Sequence, residues 1–533
     1  MPKPTQVAIK VDADRRTGAY RPIWNWVGYD EPNYTYTANG KKLLGELAAL
    51  SPEPVRMRTH NLLTTGDGTP ALKWGSTNAY TEDESGNPVY DWTIMDQIFD
   101  AYVEAGCTPF VQVGFMPEAL SDDTGPYQHS WALLSPYNNI MTGWAMPPND
   151  IKKWSALIEA WAKHLVERYG AEQVATWPWE CWNEPDGHYW KGTIPEYCEM
   201  YDATMRAVRR VIPNAYVGGP HTCGAHKNEK AQKFLRTFLK YAAENGTPLD
   251  FVGFHAKGQP VVHEDHVRMG LAKQLLDIND NLEIINEFPT LKGVHAVIGE
   301  SDPEGCAACS ARVHPQNAYR NGPLYGAYLI EHIIRTYELS RKHGIEIDGA
   351  VTWAFQFEDQ PYFDGFRDLA TNGIDKPVLN AMRMLGKLNG EWVETTSSQG
   401  LTLEQIMAEG VRGDADVNAV ATRDADGVSI LVWHYHDDDV AGPEAEINLT
   451  VGGWPGSSAS LQHFRMDEDH SNAFGVWKQM GSPQEIAPED YRKLEAAGQL
   501  DLLEEATLAD VGNELVLNTT LPRQGVSLLR LTW

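Results

Sequence analysis

Eight apolar segments, each followed by a segment with helical periodicity, constrain the fold of this chain most strongly. We predict strands at Ile23–Tyr29, Val55–Leu62, Thr108–Phe115, Val174–Trp182, Ala215–Gly219, Asp250–Lys257, Leu282–Phe288 and Gly349–Phe355. The helices that follow them are predicted at Gly40–Leu50, Thr93–Ala105, Ile151–Tyr169, Pro195–Val211, Lys227–Glu244, Asp265–Ile278, Gln316–His343 and Pro377–Leu388. Eight such units predict an α/β fold, a (β/α)8 TIM barrel over residues 21–390.

An open doubly wound sheet is the alternative architecture for the same alternation of strands and helices. Its nucleotide-binding versions carry a GxGxxG motif or a phosphate-binding loop in the first unit, and the segment from Ile23 to Leu50 contains neither. The long segments that follow several predicted strands also favour the barrel, because barrels build their active sites from such loops.

Beyond Asn389 the pattern changes to short strand-like runs. They lie at Val417–Thr422, Val428–His434, Glu446–Val451, Leu461–Met466, Glu514–Thr519 and Val526–Leu531. Asp426–Gly427 reads as a hairpin turn, and Pro488–Leu503 reads as a helical insertion. We therefore predict an accessory antiparallel β-sandwich over residues 391–533, which an N-terminal strand within residues 1–20 joins.

The charge balance excludes two classes of partner. Asp and Glu number 73 against 44 Lys and Arg, so the formal net charge of -29 repels nucleic acid and anionic membrane surfaces. No apolar run is long enough to span a bilayer, and the start MPKPTQVAIK lacks the regions of a secretory signal. We expect a cytoplasmic protein; whether it forms an oligomer stays open.

Two short motifs raise the question of a metal site. Cys306 and Cys309 form one CxxC without a second CxxC or a spaced His pair, so plain loop thiols and a structural or redox pair both stay open. HEDH at His263–His266 lacks a third ligand at useful spacing, so we interpret it as the solvated start of a helix. The sequence predicts no metal site.

Polar residues cluster where the predicted barrel strands end. The stretch WPWECWNEPDG at Trp177–Gly187 puts Asn183 and Glu184 at the end of the fourth strand. The other such residues are His60 near the end of the second strand, His255 in the sixth, Glu287 in the seventh and Trp353 in the eighth. Barrel enzymes carry their chemistry at these strand ends. Two carboxyl groups facing one substrate suit glycoside hydrolysis, and their spacing, which decides between retention and inversion, is not visible in sequence.

Several motifs in order resemble glycoside hydrolase family 39. They are DEPNYTYT at Asp30–Thr37, HNLLTTGDG at His60–Gly68, GFMPEALS at Gly114–Ser121, WNEPDG at Trp182–Gly187, DFVGFHAKG at Asp250–Gly258 and GIDKP at Gly373–Pro377. HSNAF at His470–Phe474 is similar to a loop of the family's accessory domain. The resemblance implies a (β/α)8 barrel with a β-sandwich, a retaining double displacement, and no metal or organic cofactor.

The resemblance also implies catalytic roles. Glu184 matches the family's acid/base, and Asn183 matches the residue that hydrogen-bonds the sugar 2-hydroxyl. Glu287, in LEIINEFPTLKG, is our predicted nucleophile, with Glu283 as its rival. The segment around Glu287 departs from the Thr-Glu-Trp version of bacterial β-xylosidases and looks nearer the Asn-Asp-Glu-Ala-Asp-Pro type of the iduronidases.

Further residues are expected to bind the substrate. His60 and His255 match family positions that bind sugar hydroxyls and position the nucleophile. Phe115 and Trp353 offer apolar walls for a pyranose face, and Glu358 matches a carboxylate that binds outer hydroxyls. Core packing is the alternative role for each histidine and aromatic residue.

We expect a β-D-xylosidase that acts on the non-reducing ends of xylo-oligosaccharides. An iduronidase must also bind a substrate carboxylate, and Arg58 and Lys257 are the candidate cations for that alternative. An arabinosidase, a non-catalytic sugar-binding barrel and a metal-dependent barrel hydrolase are further alternatives.

Overall fold

The computed structural model describes residues 3–127, 143–509 and 511–533. Its strands are β1 (Thr5–Ala19), β2 (Trp26–Tyr29), β3 (Arg56–Thr59), β4 (Tyr80–Glu82), β5 (Pro88–Tyr90), β6 (Thr108–Val113), β7 (Pro178–Cys181), β8 (Tyr216–Thr222), β9 (Phe251–Lys257), β10 (Val261–His263), β11 (His266–Arg268), β12 (His295–Asp302), β13 (Ile347–Ala350), β14 (Thr352–Trp353), β15 (Ala370–Thr371), β16 (Ile374–Asp375), β17 (Glu391–Ser397), β18 (Asp416–Arg423), β19 (Gly427–Tyr435), β20 (Ala445–Gly452), β21 (Ser458–Met466), β22 (Asp501–Ala509), β23 (Glu514–Leu521) and β24 (Val526–Thr532).

The α-helices are α1 (Ala38–Ala48), α2 (Thr93–Ala105), α3 (Ile151–Tyr169), α4 (Ala171–Val174), α5 (Ile194–Val211), α6 (Glu229–Asn245), α7 (Leu271–Asn286), α8 (Pro323–His343), α9 (Pro377–Leu385), α10 (Leu403–Glu409), α11 (Ala473–Gln479) and α12 (Pro488–Ala497). Short 3-10 helices lie at Pro32–Tyr34, Glu118–Leu120, Pro289–Leu291 and Pro315–Asn321. Among the helices so described, none is both long and apolar enough to cross a membrane.

The barrel sheet confirms the predicted (β/α)8 architecture. Its strands follow the order β13-β12-β9-β8-β7-β6-β3-β2-β14, and every neighbouring pair is parallel. β13 and β14 are two parts of the eighth strand, separated at Val351, and they pair with β12 and β2 respectively. The barrel therefore closes through its split eighth strand, and the carboxyl ends of all strands meet at one edge.

Local sequence signals set the helices around this barrel. α5 begins with a capping box, in which the Thr193 hydroxyl accepts the backbone N–H of Glu196 while the Glu196 carboxylate accepts that of Thr193. Asp150 caps the N-terminus of α3, because its carboxylate accepts the backbone N–H groups of Lys152 and Lys153. The predicted bounds Thr93–Ala105 and Ile151–Tyr169 agree with α2 and α3 because these helices carry a clear apolar stripe.

The predicted seventh strand, Leu282–Phe288, is wrong. This segment lies in the last turns of α7 and just beyond them, where the buried residues Leu271, Leu275, Ile278, Leu282 and Ile285 recur at helical spacing. A short apolar run does not by itself distinguish a strand from the end of a buried helix. The seventh strand is instead β12.

The HEDH motif does not start a helix. His263 ends β10 and His266 begins β11, so the motif forms the turn of a two-stranded hairpin, with Glu264 at a φ of 57°. The helix predicted from Asp265 begins only at Leu271, after this hairpin. Turn-forming acidic residues therefore produced a false helix-start signal.

The accessory domain is a single curled sheet of order β22-β21-β24-β19-β18-β17-β1-β20-β23. Its pairs are antiparallel except for β1 with β20, and the N-terminal strand β1 pairs with β17 on its other side. Alternating residues such as Ile9, Ile430 and Leu449 face one apolar core. The predicted helical insertion is shorter than expected, because α12 ends at Ala497 and β22 follows.

Buried charges join the barrel to the accessory sheet. On α8, Arg335 binds Glu331 at 2.7 Å and reaches Asp416 of β18 at 2.6 Å. Trp433 of β19 donates its indole N–H to Glu331 and, at 3.2 Å, to Asp416. All four residues are buried, so a buried charge cluster joins the two parts of the chain.

Candidate active site

A cavity of about 520 Å³ opens at the carboxyl-terminal edge of the barrel strands. Its lining includes Asp30, Glu184, Lys257, Glu300 and Trp353. A larger groove, of about 810 Å³, lies between α8 and the accessory strands β17 and β18. Barrel enzymes carry their chemistry at the strand ends, so the smaller cavity is the candidate active site.

The backbone around Glu184 adopts an unusual conformation after β7. Trp182 has a φ of 71° and Glu184 a φ of 39°, in the left-handed region that side chains other than glycine rarely adopt. Two hydrogen bonds hold this turn, since Glu184 donates its N–H to the His221 carbonyl at 3.0 Å and Gly187 donates to the Glu184 carbonyl at 2.8 Å. Such strain persists where surrounding structure fixes it, often at functional sites.

The Glu184 carboxyl group lies where its neutral form is favoured. Its Oε1 is 2.9 Å from Nδ1 of His255, and its side chain is 21% exposed to the cavity. Burial and the charge of Glu300 raise the pKa of Glu184 to about 7, although Lys257 and His60 oppose that rise. Burial also holds the pKa of His255 well below its ordinary value, so the imidazole is neutral. A carboxylic acid here can keep its proton near neutral pH.

Glu300 reaches the same cavity because of an irregularity in β12. Ile298 pairs with Phe254 and Glu300 with His255, so Gly299 is an extra residue between two consecutive partners. Such a bulge changes the direction of the side chain that follows it. A Cβ atom at Gly299 would lie 2.1 Å from Nδ1 of His221, so glycine is required. The bulge therefore depends on a residue without a side chain.

Glu300 lies among cationic and imidazole groups. Its Oε2 is 2.6 Å from Nζ of Lys257, and its Oε1 is 3.6 Å from Nη1 of Arg58 and 3.8 Å from both Nε2 of His60 and Nδ1 of His255. Burial alone would raise the pKa of Glu300, but Lys257, with the histidines and Arg58, holds it well below its ordinary value. This carboxylate remains ionised.

The two carboxyl groups face one another across a short gap. One ligand atom each from Glu184, His255 and Glu300 lies within 4.8 Å of the others. Retaining glycosidases separate their carboxyl groups by about 5 to 5.5 Å, and inverting enzymes by about 6.5 to 9.5 Å. The arrangement pairs a carboxyl group that keeps its proton near neutral pH with an ionised carboxylate, and one oxygen of each lies within 4.8 Å of the other.

A buried layer beneath the cavity fixes these groups. Arg58 donates to Glu180 at 2.6 Å, to the Gly299 carbonyl at 3.2 Å and to Oδ1 of Asn183 at 3.2 Å. Its guanidinium carbon lies 4.9 Å from the centre of the Trp353 ring. The same arginine thus touches the end of β7, the bulge of β12 and the end of the eighth strand, and it aligns them.

Asp30 organises the other side of the cavity. It accepts hydrogen bonds from Nδ1 of His60 at 2.8 Å, from the indole N–H of Trp353 at 3.3 Å and from Lys73. Burial would raise the pKa of Asp30, but Lys73 and His60 hold it well below its ordinary value. His60 is thereby oriented with its Nε2 toward Glu300.

The structure brings most of the predicted site residues together. Glu184 and Trp353 line the cavity, and His60, Asn183 and His255 are buried directly beneath it. Phe115 is 1% exposed and stacks at 5.6 Å on Tyr189, a lining residue. Phe115 therefore supports the cavity wall from behind.

Glu358 does not line the cavity. It accepts hydrogen bonds from Thr37, from Nδ2 of Asn39 at 3.0 Å and from Nε2 of Gln356 at 2.9 Å. These partners place its carboxylate at the start of α1, where it binds protein groups.

The structure contradicts the placement of Glu287 at the end of a strand. Glu287 caps the C-terminus of α7, its side chain is 45% exposed, and both its oxygens accept hydrogen bonds of 2.8 Å from Arg236. The Arg236 hydrogen bonds lower its pKa. Its rival Glu283 also lies on α7, where it accepts a hydrogen bond from Asn279. Neither residue reaches the cavity, because the segment that holds them is helical.

Sequence reasoning overlooked Glu300, although one signal for it was present. Glu300–Pro303 reads ESDP, which has the Glu-x-Asp-Pro spacing of the iduronidase motif Asn-Asp-Glu-Ala-Asp-Pro. In the prediction of the nucleophile, it is the segment around Glu287 that is compared with this motif. The apolar run AVI before it is short and follows Gly293, so it gave a weak strand signal. Asp30 lies in the DEPNYTYT motif but was assigned no role, and Lys73 and Tyr189 had no such signal, because only the folded chain brings them to the cavity.

Cys306 and Cys309 form a disulfide, and both line the cavity in the loop after β12. Arg320 donates to the carbonyls of Cys306 at 2.6 Å and Cys309 at 2.9 Å, so the loop is also held from its inner side. Of the two interpretations left open for this pair, the disulfide agrees with a structural or redox pair and contradicts plain loop thiols.

A family model described as "Glycosyl hydrolases family 39" matches residues 7–504. A β-xylosidase of Geobacillus stearothermophilus is 29% identical over 413 residues, which cover 74% of this chain and 72% of the relative. An α-L-iduronidase of Canis lupus familiaris is 25% identical over 390 residues, covering 64% of this chain and 54% of the relative. Among solved structures, a monomeric β-xylosidase from Caulobacter crescentus CB15 has a TM-score of 0.77 at 22% identity, with 98% and 99% of the two chains covered.

Proposed function

Because this chain belongs to glycosyl hydrolases family 39, we propose that it is a retaining exo-β-D-xylosidase that releases xylose from the non-reducing ends of xylo-oligosaccharides. The observation that carries the retaining mechanism is the pair Glu184 and Glu300, whose carboxyl groups approach within 4.8 Å. The same pair supports a catalytic protein over a non-catalytic sugar-binding barrel, because both reacting carboxyl groups are present and their pKa values are shifted in opposite directions.

In the first step, Glu300 attacks the anomeric carbon with a carboxylate oxygen, and the bond to the leaving oxygen breaks. Glu184 donates its proton to that oxygen, so the alcohol leaves neutral and Glu184 becomes a carboxylate. The sugar is then bound to Glu300 as an ester with inverted configuration. The low pKa of Glu300 and the raised pKa of Glu184 suit these two roles.

In the second step, the Glu184 carboxylate takes a proton from a water molecule that attacks the anomeric carbon. The bond to Glu300 breaks, and the product keeps the β configuration of the substrate. Loss of the Glu300 charge in the ester removes one cause of the raised Glu184 pKa, which makes Glu184 a base in this step. His255, 2.9 Å from Glu184, orients the carboxyl group in both steps.

The cations of the site favour a neutral glycone, because they already form ion pairs with carboxylates of the protein. Lys257 binds Glu300 at 2.6 Å and Asp302 at 2.5 Å, and Arg58 is fully buried against Glu180. Their charges are therefore compensated by the protein itself. The β-xylosidase relatives are also more identical to this chain than the iduronidases are, 29% against 25% for the two compared above.

An α-L-iduronidase is the second candidate, because Lys257 lines the cavity with 13% of its side chain exposed. A substrate carboxylate at that position would accept a third bond from its ammonium group. The ESDP segment at Glu300–Pro303 has the spacing of the iduronidase motif and favours the same candidate.

A panel of aryl glycosides tests these candidates, with β-xylose, α-L-arabinose, β-glucose and α-L-iduronate as the glycones. We expect the highest kcat/KM on the β-xyloside; a higher value on the iduronide would replace the xylosidase proposal. Proton NMR of the first product should show β-xylose, since initial α-xylose would mean inversion. Activity should also be insensitive to a chelator, and its loss would favour a metal-dependent hydrolase.

A further inference from the structure

A segment that we call the pocket hairpin, Gly258–Gly270, forms part of the cavity wall. It leaves the end of β9 and contains the antiparallel pair β10 and β11 before α7 begins. Its first three residues, Gly258, Gln259 and Pro260, line the cavity beside Lys257 and Glu300. The position of this hairpin therefore sets the shape of the space that a substrate enters.

The pocket hairpin has little apolar packing at its tip. Val261 and Val262 are 46% and 50% exposed, and only Val267 on the opposite strand is buried. An isolated two-stranded hairpin is marginally stable in water. Its position therefore depends on contacts with other elements.

The accessory sheet supplies such contacts through the loop after β19. Arg268 binds Asp438 with both ends of its guanidinium, at 2.5 Å and 3.0 Å. Met269 donates its N–H to the Asp437 carbonyl at 2.7 Å, and Asp439 donates to the Val267 carbonyl at 2.8 Å. The returning strand of the hairpin is thus bonded to the accessory domain by an ion pair and two backbone hydrogen bonds.

The loop that carries Asp438 is itself held in place. Nε2 of Gln524 donates to the carbonyls of His436 at 2.8 Å and Asp438 at 3.2 Å. The Tyr435 hydroxyl donates to the Asp437 carboxylate at 2.8 Å. The accessory sheet therefore offers a rigid anchor.

Backbone contact transmits this anchoring to the cavity wall. A Cβ atom at Gly270 would lie 2.5 Å from the backbone nitrogen of Gln259, so the two ends of the hairpin touch directly. Gly258 also donates its N–H to the carbonyl of Asp302, at 2.9 Å, next to the Lys257 partner carboxylate. Movement of the returning strand would displace Gln259 and Pro260.

We propose that Asp438 is a positioning residue for substrate binding, which through Arg268 holds the cavity wall Gly258–Pro260 in the place that the glycoside requires. The inference rests on the proposed function, because it takes this cavity as the glycoside site. The accessory domain then determines substrate affinity without contacting the substrate.

The alternative role of the ion pair is to stabilise the fold only. Arg268 is 26% exposed and Asp438 11%, and pairs at a surface contribute little to stability. The two roles differ in their kinetic effect. A purely stabilising pair changes the melting temperature, whereas a positioning pair changes KM on the folded enzyme.

Asp438→Asn, Arg268→Met and the double variant test the proposal on the best glycoside of the panel. We expect each single change to raise KM by about threefold to tenfold, with kcat within about twofold of wild type. The double variant should match either single variant, because both changes remove the same interaction.

Glu495→Gln is the matched control. Glu495 of α12 binds Lys42 of α1 at 2.6 Å, so this pair also joins the accessory domain to the barrel but lies away from the cavity. Its loss should leave KM unchanged. An unchanged KM in Asp438→Asn overturns the proposal, as does a loss of kcat and melting temperature without a separate KM effect.

Hydrogen exchange separates a failure of this inference from a failure of the proposed function. Amides in residues 258–270 should exchange faster in Asp438→Asn than in wild type, and faster exchange there supports the tether even if no glycoside is turned over. Unchanged exchange in this segment overturns the inference, whatever the panel shows.

Discussion

Glu184 and Glu300 are the same kind of side chain in the same cavity, yet their surroundings drive them to opposite protonation states. Glu184 has a neutral imidazole at 2.9 Å and a second carboxylate nearby, whereas Glu300 has the Lys257 ammonium at 2.6 Å. Burial alone would raise the pKa of each carboxyl group, so burial does not account for the difference between them. The positive groups around Glu300, with Lys257 the strongest of them, decide which carboxyl group keeps its proton.

Replacing Glu300 should have the largest effect. We expect Glu300→Ala to lower kcat by at least about 10⁴-fold, because the variant lacks the carboxylate that forms the covalent intermediate. Sodium azide should restore turnover by occupying the vacated space and should yield an α-glycosyl azide from a β-glycoside. Near wild-type hydrolysis in this variant would assign the nucleophile elsewhere.

Replacing Glu184 should give a loss that depends on the leaving group. Glu184→Ala should slow unactivated xylo-oligosaccharides by about 10²- to 10⁴-fold, since their leaving oxygen needs a proton. Aryl glycosides with acidic phenols should be slowed much less in the first step. Equal losses across a series of phenols would count against the acid role.

Replacing Lys257 should change the pH profile more than the maximal rate. In the wild type, activity should fall as pH rises through about 7, because Glu184 then loses its proton. Lys257 lowers the pKa of both carboxyl groups, so Lys257→Met should shift both limbs of kcat/KM to higher pH. If neither limb of the pH profile shifted in Lys257→Met, Lys257 would not be the group that sets the pKa values of Glu184 and Glu300.

Replacing Glu287 should have the smallest effect. Its pair with Arg236 lies at the surface, where such pairs contribute about 0.2 to 1 kcal/mol. Glu287→Gln should therefore leave kcat/KM within about twofold of wild type and lower the free energy of unfolding by at most about 1 kcal/mol. A large loss of turnover would restore Glu287 to the mechanism.

Seven of the eight predicted barrel strands overlap strands of the structure, because each is a buried apolar run followed by a helix. The exception is instructive. LEII in α7 has the apolar content of a strand, and only the continued helical spacing from Leu271 shows its true state. Because this one element was predicted as a strand, the predicted nucleophile Glu287 was expected at a buried strand end, whereas it lies at the exposed end of α7.

Glu184 was predictable because its motif is contiguous, while the position of Glu300 depends on pairing with β9. The bulge at Gly299 and the ring of His221 that fills the space beside it are tertiary features. Lys73 is likewise distant in sequence from its partner Asp30. Residues that meet only in the folded chain leave no local pattern to read.

The buried charges between α8 and the accessory sheet bear on how the molecule melts. If the barrel were separated from the sheet, Glu331 and Arg335 would lose Asp416 and Trp433, and an apolar face of α8 would meet water. We expect one cooperative calorimetric transition for the intact chain, and insoluble or molten material from a barrel cut after residue 390. The sheet would thus be as necessary for making the catalytic domain as the barrel strands themselves.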